Sequence, residues 1–422
     1  MACHDSNDLD YMSRLLLEDV CSDLVRFLHS KGDPAQFGAV RIDREWALGP
    51  PGAFADLRIE PIGGQPYFLE IKYGYDSQTV LAHLRRKYGQ LPASTLAEDR
   101  VVLVIETAAH ADWPVLEAAL QQALAPPLRL EVWDEERLHC LMVECFGQTI
   151  PAFTGPDLLA IRECIDYGKE RLAFGEAPKL PVTTDYSESV LRQNLLWHFG
   201  TWRLRELRHV REQEDPRRLV PPGLYEQVVV VMADLSGFSR YMHDTFDDAV
   251  VRQILTGFYA KARYQIINAG GMMVQFVGDA VVALFGLPDH RPGYLDDAMR
   301  TAVRLLDIGA SVSHEWQRRI DHVQARHGVH IGMAMGRIHL VAMRPLDYAR
   351  LAAIGDCMDI AERLNGLAAP GQIILSNVLR YALRHSAYEF AALEPTEVRN
   401  LGTLQPWRLL LQSDAAQAGS LP

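Results

Sequence analysis

Two stretches of sequence decide the fold of this chain: Val228-Val-Val-Val-Met-Ala-Asp-Leu-Ser-Gly-Phe-Ser239 and Gly270-Gly-Met-Met-Val-Gln-Phe-Val-Gly-Asp-Ala-Val-Val-Ala-Leu-Phe285. Each predicts an apolar strand that brings one carboxylate, Asp234 or Asp279, to a turn marked by glycine. Two carboxylates held on adjacent strands supply the oxygen ligands that a metal-dependent nucleotide site requires. The stretches therefore predict a site in which two Mg2+ or Mn2+ ions are held against a triphosphate.

The turns beside these carboxylates suit the same site. The segment Ser236-Gly237-Phe238 leads into a predicted helix. The first backbone N–H groups of a helix have no intrahelical partner and can bind phosphate oxygens. Gly278 permits a tight turn and close approach just before Asp279. Structural roles stay open for both carboxylates, because Asp234 also suits a helix N-cap and Asp279 also suits a plain hairpin turn. Their joint occurrence at two strand ends favours the metal site.

Composition sets the class of protein. The chain has 422 residues, of which 48% are hydrophobic and 23% charged, as in an ordinary globular protein of two or three domains. Its formal net charge of -12 opposes attraction to polyanions, so we expect no strong nucleic-acid binding. The polar, acidic first residues show no secretory signal, and no uncharged apolar run reaches membrane-spanning length. We therefore expect a cytoplasmic protein without membrane contact.

Hydrophobic periodicity divides the chain into four parts. Residues 1–150 alternate short strands and amphipathic helices, which predicts a mixed α/β domain with a regulatory role. Residues 151–222 predict a helical linker that ends at a Pro-Pro-Gly boundary. Residues 223–412 predict a second α/β domain, which carries the carboxylates, and residues 413–422 a flexible tail.

Three ordered motifs in the second domain resemble the class III nucleotide cyclases, the adenylate/guanylate cyclase family. They are Asp-Leu-Ser-Gly-Phe at 234–238, Val-Gly-Asp at 277–279 and Ile-Gly-Asp-Cys-Met-Asp-Ile-Ala-Glu-Arg-Leu at 354–364. The resemblance covers residues from about 225 to 410 and implies a ferredoxin-like βαββαβ core in an α/β (α+β) fold. It also implies a head-to-tail homodimer, in which each active site draws residues from both subunits.

The same resemblance assigns roles to single residues. It makes Asp234, Asp279 and the Leu235 carbonyl metal ligands, and it makes Arg363 the group that stabilises charge on the phosphates. The planar, always charged guanidinium of an arginine suits that work. Asp359 stands where the family usually has Asn. An ionised Asp cannot donate a hydrogen bond to the ribose, which leaves open a degenerate nucleotide-binding sensor.

Two departures concern the base of the nucleotide. Gln275 replaces the Lys or Glu with which the family reads a purine, and Ala352 replaces its polar partner. Gln offers one acceptor and two donors, which suit a pyrimidine edge. Alternatively, Gln275 is a solvent-facing strand residue, the base is read elsewhere, and the protein is an adenylate or guanylate cyclase with an atypical base pocket.

The pattern at these two positions is similar to the bacterial pyrimidine cyclases of the Pycsar antiphage system. This resemblance implies conversion of UTP, favoured over CTP, into a 3',5'-cyclic monophosphate and pyrophosphate. The product would be a second messenger in antiphage defence, read by a separate cyclic-nucleotide effector.

The N-terminal domain carries a second candidate metal site. Asp56, followed on the next predicted strand by Glu70 and Lys72, resembles the signature of the PD-(D/E)xK nuclease fold, with Ala55 in place of the usual proline. Asp56 and Glu70 could chelate a metal ion while Lys72 orients the attacking water. The alternative is an ordinary cross-strand ion pair on a solvated face.

Overall fold

A computed structural model gives the architecture of the chain. It describes residues 3–92, 96–147, 149, 158–175, 186–213, 215–245, 247–321, 323, 327–343, 350–398 and 402–411. The predicted tail at 413–422 lies outside these residues. In the described part of the chain, no helix is both long and apolar enough to cross a membrane.

Contacts within the chain define two compact units. The first comprises Met1–Asp185, Phe199–Pro216 and Ala249–Asn268; the second comprises Tyr186–His198, Arg217–Asp248 and Ala269–Pro422. The segment Ala249–Asn268 lies inside the predicted second domain at 223–412. By its contacts, however, it belongs to the first unit.

The first unit is built on a five-stranded mixed sheet. Strands β1 to β5 lie in sequence order, the first three antiparallel and the last three parallel. In chain order the elements are α1 (Cys3–Ser30), β1 (Arg41–Ala47), β2 (Phe54–Glu60), β3 (Tyr67–Ile71), α2 (Ser77–Tyr88), β4 (Arg100–Val104), α3 (Trp113–Ala123), β5 (Arg129–Trp133), α4 (Glu135–Phe146) and α5 (Leu158–Phe174). The predicted mixed α/β domain is confirmed, whereas its resemblance to the PD-(D/E)xK fold stays a prediction.

Local sequence signals explain where these helices lie. The side chain of Asp76 accepts a hydrogen bond from the Thr79 backbone N–H and so begins α2. Asp134 caps α4 in the same way, and Gly147, at φ 68°, ends it in the left-handed conformation. Apolar side chains cover both faces of the sheet, which explains why β4 is apolar and buried after its first residue, Arg100.

Two helices connect the N-terminal sheet to the second one. They are α6 (Tyr186–Arg211), which is interrupted by non-helical backbone at Gly200, and the short α7 (Pro216–Leu219). Trp202, Leu204 and Leu207 of α6 are buried, whereas Trp197 is half-buried.

The second unit is built on an eight-stranded sheet within the described residues. Its strand order is β12-β15-β11-β9-β6-β8-β7, with β10 paired to β9. The antiparallel centre β9-β6-β8-β7 has the strand order of the predicted ferredoxin-like core. The elements are β6 (Gly223–Leu235), α8 (Phe238–Asp244), α9 (Asp248–Asn268, assigned from Ala249 to the first unit), β7 (Met272–Val277), β8 (Ala280–Phe285), α10 (Tyr294–Ile320), β9 (Val329–Met343), β10 (Arg350–Ile354), α11 (Asp356–Leu367), β11 (Ile373–Ser376), α12 (Asn377–Ala382), β12 (Phe390–Ala392), β13 (Thr396–Val398), β14 (Gly402–Leu404) and β15 (Pro406–Leu409).

A glycine lets α11 lie directly on the central sheet. A Cβ atom at Gly332 of β9 would stand 2.1 Å from the Ala361 carbonyl oxygen and 2.2 Å from the Asn365 backbone nitrogen. At the same place the Asn365 amide nitrogen donates to the Met232 and His330 carbonyl oxygens, at 3.1 and 3.0 Å. Helix α11 is thus fixed to β6, the strand that carries Asp234, and to its neighbour β9.

We expect Gly332→Ala to destabilise the protein by about 2–3 kcal/mol or more, because the new methyl group meets backbone atoms that cannot rotate away. Gly366→Ala on α11 is the matched control, since a Cβ atom at Gly366 would meet no atom within 4 Å. That change should leave stability unchanged or raise it by about 0.5–1 kcal/mol. Chemical denaturation of both variants measures the difference, and equal stabilities would contradict the close packing of α11.

Candidate active site

The structure brings the two predicted metal carboxylates together. Asp234 is the penultimate residue of β6 and pairs in register with Ala280 of β8. Asp279 lies in the turn immediately before Ala280, where Gly278 adopts φ +60°. The N-cap of α8 is Gly237, at φ 78°, so the alternative role of Asp234 as that cap is wrong.

The environment of this pair opposes two negative charges. Burial raises the pKa of Asp234, and burial together with the charge of Asp234 raises the pKa of Asp279 to about 6. The Oδ1 atom of Asp234 is buried and has no hydrogen-bond partner among the described residues. A buried carboxylate oxygen without a donor, beside a second carboxylate, fits the ligand set of a divalent cation.

His330 is a site residue that the sequence reasoning missed. It stands opposite Asp234 in the β6–β9 register, and its Nε2 lies 3.6 Å from Asp234 Oδ2. Its Nδ1 is 2.9 Å from the Ser236 hydroxyl oxygen, and burial lowers the pKa of the imidazole. The imidazole therefore lies between β6, which carries Asp234, and the turn that follows this strand. Only the register of β6 on β9 reveals this contact.

The predicted phosphate-binding turn at Ser236–Phe238 is only partly available. The Ser236 backbone N–H donates to the Gly328 carbonyl oxygen at 2.9 Å, so this group is not free for phosphate. Helix α8 begins at Phe238, and the Phe238 ring packs edge-on against Trp316. Of the three predicted substrate contacts in this turn, Ser236 is satisfied by the sheet, which leaves Gly237 and Phe238 as predictions.

Helix α11 presents the predicted transition-state residues on one face. Asp359 and Arg363 are one turn apart and exposed. In the described part of the chain, no hydrogen bond or ion pair joins either side chain to Asp234 or Asp279. Asn365 lies on the opposite face. Its side-chain amide donates hydrogen bonds to β6 and β9 and so holds α11 against the sheet. The sequence reasoning also missed this residue.

The two predicted base-reading positions lie on different strands. A bulge at Val274 of β7 shifts the pairing between Met273↔Ala283 and Gln275↔Val282. Met273 and Val274 are therefore both buried, and Gln275 emerges exposed. Ala352 of β10, half-buried, pairs with Val341 of β9. Their part in base recognition stays a prediction.

In the N-terminal domain the three signature residues also meet, with a fourth that was not predicted. Lys72 Nζ lies 2.9 Å from Asp56 Oδ2 and 2.6 Å from Glu70 Oε2. Lys87 Nζ, from α2, lies 3.0 Å from Asp56 Oδ1 and 2.7 Å from Glu70 Oε2. The Tyr88 hydroxyl donates to Glu70 Oε1 at 2.6 Å. We call Asp56, Glu70, Lys72 and Lys87 the charge quartet.

The charge quartet is closed and electrically balanced. Glu70 is fully buried, and the lysine and Asp56 side chains are at most 19% exposed, so this is not an ion pair on a solvated face. The neighbouring ammonium groups hold the pKa of Asp56 well below its usual range against the opposing effect of burial. Lys87 takes the place between the carboxylates that a cation needs, so the quartet does not fit a bound divalent ion in this arrangement.

Comparison with known proteins places the second domain in a family. Residues 220–411 match the family model of the adenylate and guanylate cyclase catalytic domain. A receptor-type guanylate cyclase of Caenorhabditis elegans is 24% identical over 204 residues, which are 47% of this chain and 18% of that protein. An uncharacterized protein of Mycobacterium tuberculosis is 30% identical over 148 residues, 35% of this chain and 32% of that protein. The chain thus spans about a third or less of these relatives.

Two solved structures are similar to the same part of the chain. An adenylyl cyclase from P. aeruginosa is 17% identical and covers 45% of this chain and 96% of its own, with a TM-score of 0.40. The guanylate cyclase domain of RhGC from Catenaria anguillulae, in complex with GTP, is 19% identical and covers 44% and 97%, with a TM-score of 0.37. By the family match, residues 220–411 form a class III adenylate/guanylate cyclase catalytic domain.

We expect Asp279→Asn to stabilise the metal-free protein at pH 8, because it removes a charge that Asp234 repels. The pKa of Asp279 is raised to about 6, so the folded state bears this cost above about pH 6 and loses it as the pH falls towards 4. The difference in Tm between variant and wild type should shrink over that range. Mn2+ should raise the Tm of the wild type but not that of the variant. A Tm difference that is independent of pH would contradict the repulsion.

We expect Lys87→Met to destabilise the N-terminal domain by about 3–5 kcal/mol, because it leaves two buried carboxylates with one ammonium group. Added Mg2+ should recover part of the loss, since the place between the carboxylates is then open. Combining Lys87→Met with Glu70→Gln, which rebalances the charge, should also recover part of it. Thermal unfolding in an Asp279→Asn background isolates this site from the other carboxylate pair. Metal binding by the intact quartet in that background would contradict the closed arrangement.

Proposed function

We propose that the protein is a metal-dependent nucleotide cyclase that converts a pyrimidine nucleoside triphosphate into its 3',5'-cyclic monophosphate and pyrophosphate, with UTP favoured over CTP. The observation that carries the proposal is the pair Asp234 and Asp279, held side by side in a cyclase catalytic domain with one carboxylate oxygen buried and unpartnered.

The reaction requires positioning and charge stabilisation rather than a covalent enzyme intermediate. The ribose 3'-oxygen bonds to the α-phosphorus as the bond from that phosphorus to the leaving pyrophosphate breaks. Divalent ions, when bound, would activate the 3'-hydroxyl and neutralise the leaving group. Asp234 and Asp279 would hold them, with the Leu235 carbonyl as a third ligand. His330 forms a hydrogen bond with the Ser236 hydroxyl and lies 3.6 Å from Asp234 Oδ2, between the carboxylate and the turn.

A head-to-tail homodimer would complete the site. Arg363 is exposed, and within the described residues no ion pair joins it to the carboxylates of its own chain. An arginine whose task is to grip phosphate oxygens must reach the metal site, and in this proposal it reaches the site of the partner subunit. Asp359, one turn earlier on α11, would face the same substrate.

The choice of a pyrimidine rests on neutral groups at the base positions. Exposed Gln275 offers both a donor and an acceptor, and Ala352 adds no polar contact, so no charged side chain is present to pair with a purine edge. The proposal includes a cytoplasmic role in antiphage defence, with the product read by a separate effector.

A degenerate nucleotide-binding sensor is the second candidate, and Asp359 favours it. The side chain is exposed, and an ionised carboxylate there can accept but not donate a hydrogen bond. Such a protein would bind the triphosphate without cyclising it.

Incubation of the pure protein with each of the four triphosphates and Mn2+ tests the proposal. We expect cyclic UMP as the main product and a loss of turnover in Asp234→Ala, with the folded dimer retained. Cyclic AMP as the sole product would overturn the pyrimidine assignment. Nucleotide that binds but is never cyclised would favour the sensor.

Mixing subunits tests the composite site. Asp234→Ala and Arg363→Ala chains should each be inactive alone, because each removes one half of every site. An equal mixture gives about half heterodimers, each with one intact site of two, so activity should return to about a quarter of the wild-type value. No recovery in verified mixed dimers would rule out the head-to-tail geometry.

A further inference from the structure

Helix α9 occupies a special place in the sequence. It lies between Asp234 and Asp279 along the chain, inside the segment that matches the cyclase family. Three residues separate its last residue, Asn268, from the first residue of β7, which carries Gln275 and leads to Asp279. By its contacts, however, the helix from Ala249 to Asn268 belongs to the same unit as the N-terminal sheet.

Strand β1 binds α9 through three consecutive polar residues. The Gln265 side chain accepts a hydrogen bond from the Arg44 backbone N–H at 2.8 Å and donates to Asp43 Oδ1 at 3.2 Å. Lys261, one turn earlier, forms an ion pair with Glu45 in which the two side chains are only 12% and 10% exposed. Because these side chains lie at most 12% exposed, losing either partner removes a polar contact from a largely buried place.

Two residues outside β1, Arg26 and Trp202, bind the last turn of α9. The Asn268 carbonyl oxygen accepts a hydrogen bond from Arg26 Nη2 at 3.0 Å, and the Ile267 carbonyl oxygen accepts one from Trp202 Nε1 at 2.9 Å. These are carbonyls that a helix end leaves without intrahelical partners. The first unit therefore satisfies the helix end that precedes β7.

The backbone of β1 is strained where it meets α9. Glu45 adopts φ +48°, in the left-handed region, between the regular pairs Arg44↔Leu57 and Trp46↔Ala55. A non-glycine residue in this conformation costs about 1 kcal/mol or more and persists only where its surroundings demand it. From this conformation Glu45 forms its ion pair with Lys261. The irregular backbone of β1 therefore lies at the residue that contacts α9.

We propose that the N-terminal domain regulates the nucleotide site by gripping α9 with the β1 residues Asp43, Arg44 and Glu45, an inference that rests on the proposed cyclase function. The grip fixes the segment that joins the two metal carboxylates. A helix is stiff, so a displacement of β1 is passed to the start of β7. The charge quartet lies next to the β1 residues that bind α9, because Asp56 is on β2, the neighbour of β1.

Charge reversal in the full-length chain tests the grip. Glu45→Lys and Lys261→Glu should each lower the cyclisation rate about tenfold or more, and the double reversal should restore at least about half of it, as coupled partners of a buried pair do. Glu98→Lys is the matched control. It breaks the equally buried pair with Arg58 in the same unit, 2.5 Å apart, with no contact to α9 in the described structure. It should leave the rate of the folded enzyme unchanged.

Hydrogen exchange separates this inference from the proposed function. In each single reversal, amide exchange should rise in α9 and in the β7–β8 hairpin, and it should return to the wild-type level in the double variant. This readout holds even if the wild type proves to be no cyclase. Faster exchange confined to α9, or a rate that the reversals lower no more than Glu98→Lys does, would overturn the regulatory grip while leaving the cyclase proposal standing.

Discussion

The nucleotide site depends on one unfavourable interaction, the repulsion between Asp234 and Asp279. Their strands are held in register by some of the most deeply buried apolar residues of the chain, Val228–Val231 and Val281–Phe285. The sheet thus supplies the free energy that keeps two carboxylates together. Burial raises the pKa of both, and the charge of Asp234 adds to the rise at Asp279. A divalent cation would relieve the same repulsion, so the pairing of these strands favours the proposed metal site.

The N-terminal domain solves the same electrostatic problem in the opposite way. Asp56 and Glu70 are also brought together by neighbouring strands, but Lys72 and Lys87 neutralise them from within the chain. One carboxylate pair is therefore left needing a ligand, and the other is satisfied. This contrast favours the second domain as the place of the chemistry, and the regulatory role of the first domain stays a proposal.

Sequence patterns predicted those features that depend on local signals. The bounds of α2 and α4 follow from aspartate caps and the glycines that come after them, and the carboxylates were found because each ends an apolar run beside a turn. Contacts set by pairing between distant segments were not predictable in this way. His330 depends on the β6–β9 register, Lys87 on how α2 lies on the sheet, and the exposure of Gln275 on a one-residue bulge.

The packing of α9 also constrains how such a protein can evolve. Its buried face includes Ile254, Phe258 and Ile266, and its Gln265 is matched to two residues of β1. A different N-terminal domain could not be fused to this catalytic segment without new residues along that face. The two parts are therefore not interchangeable modules, and substitutions in β1 and in α9 should be inherited together.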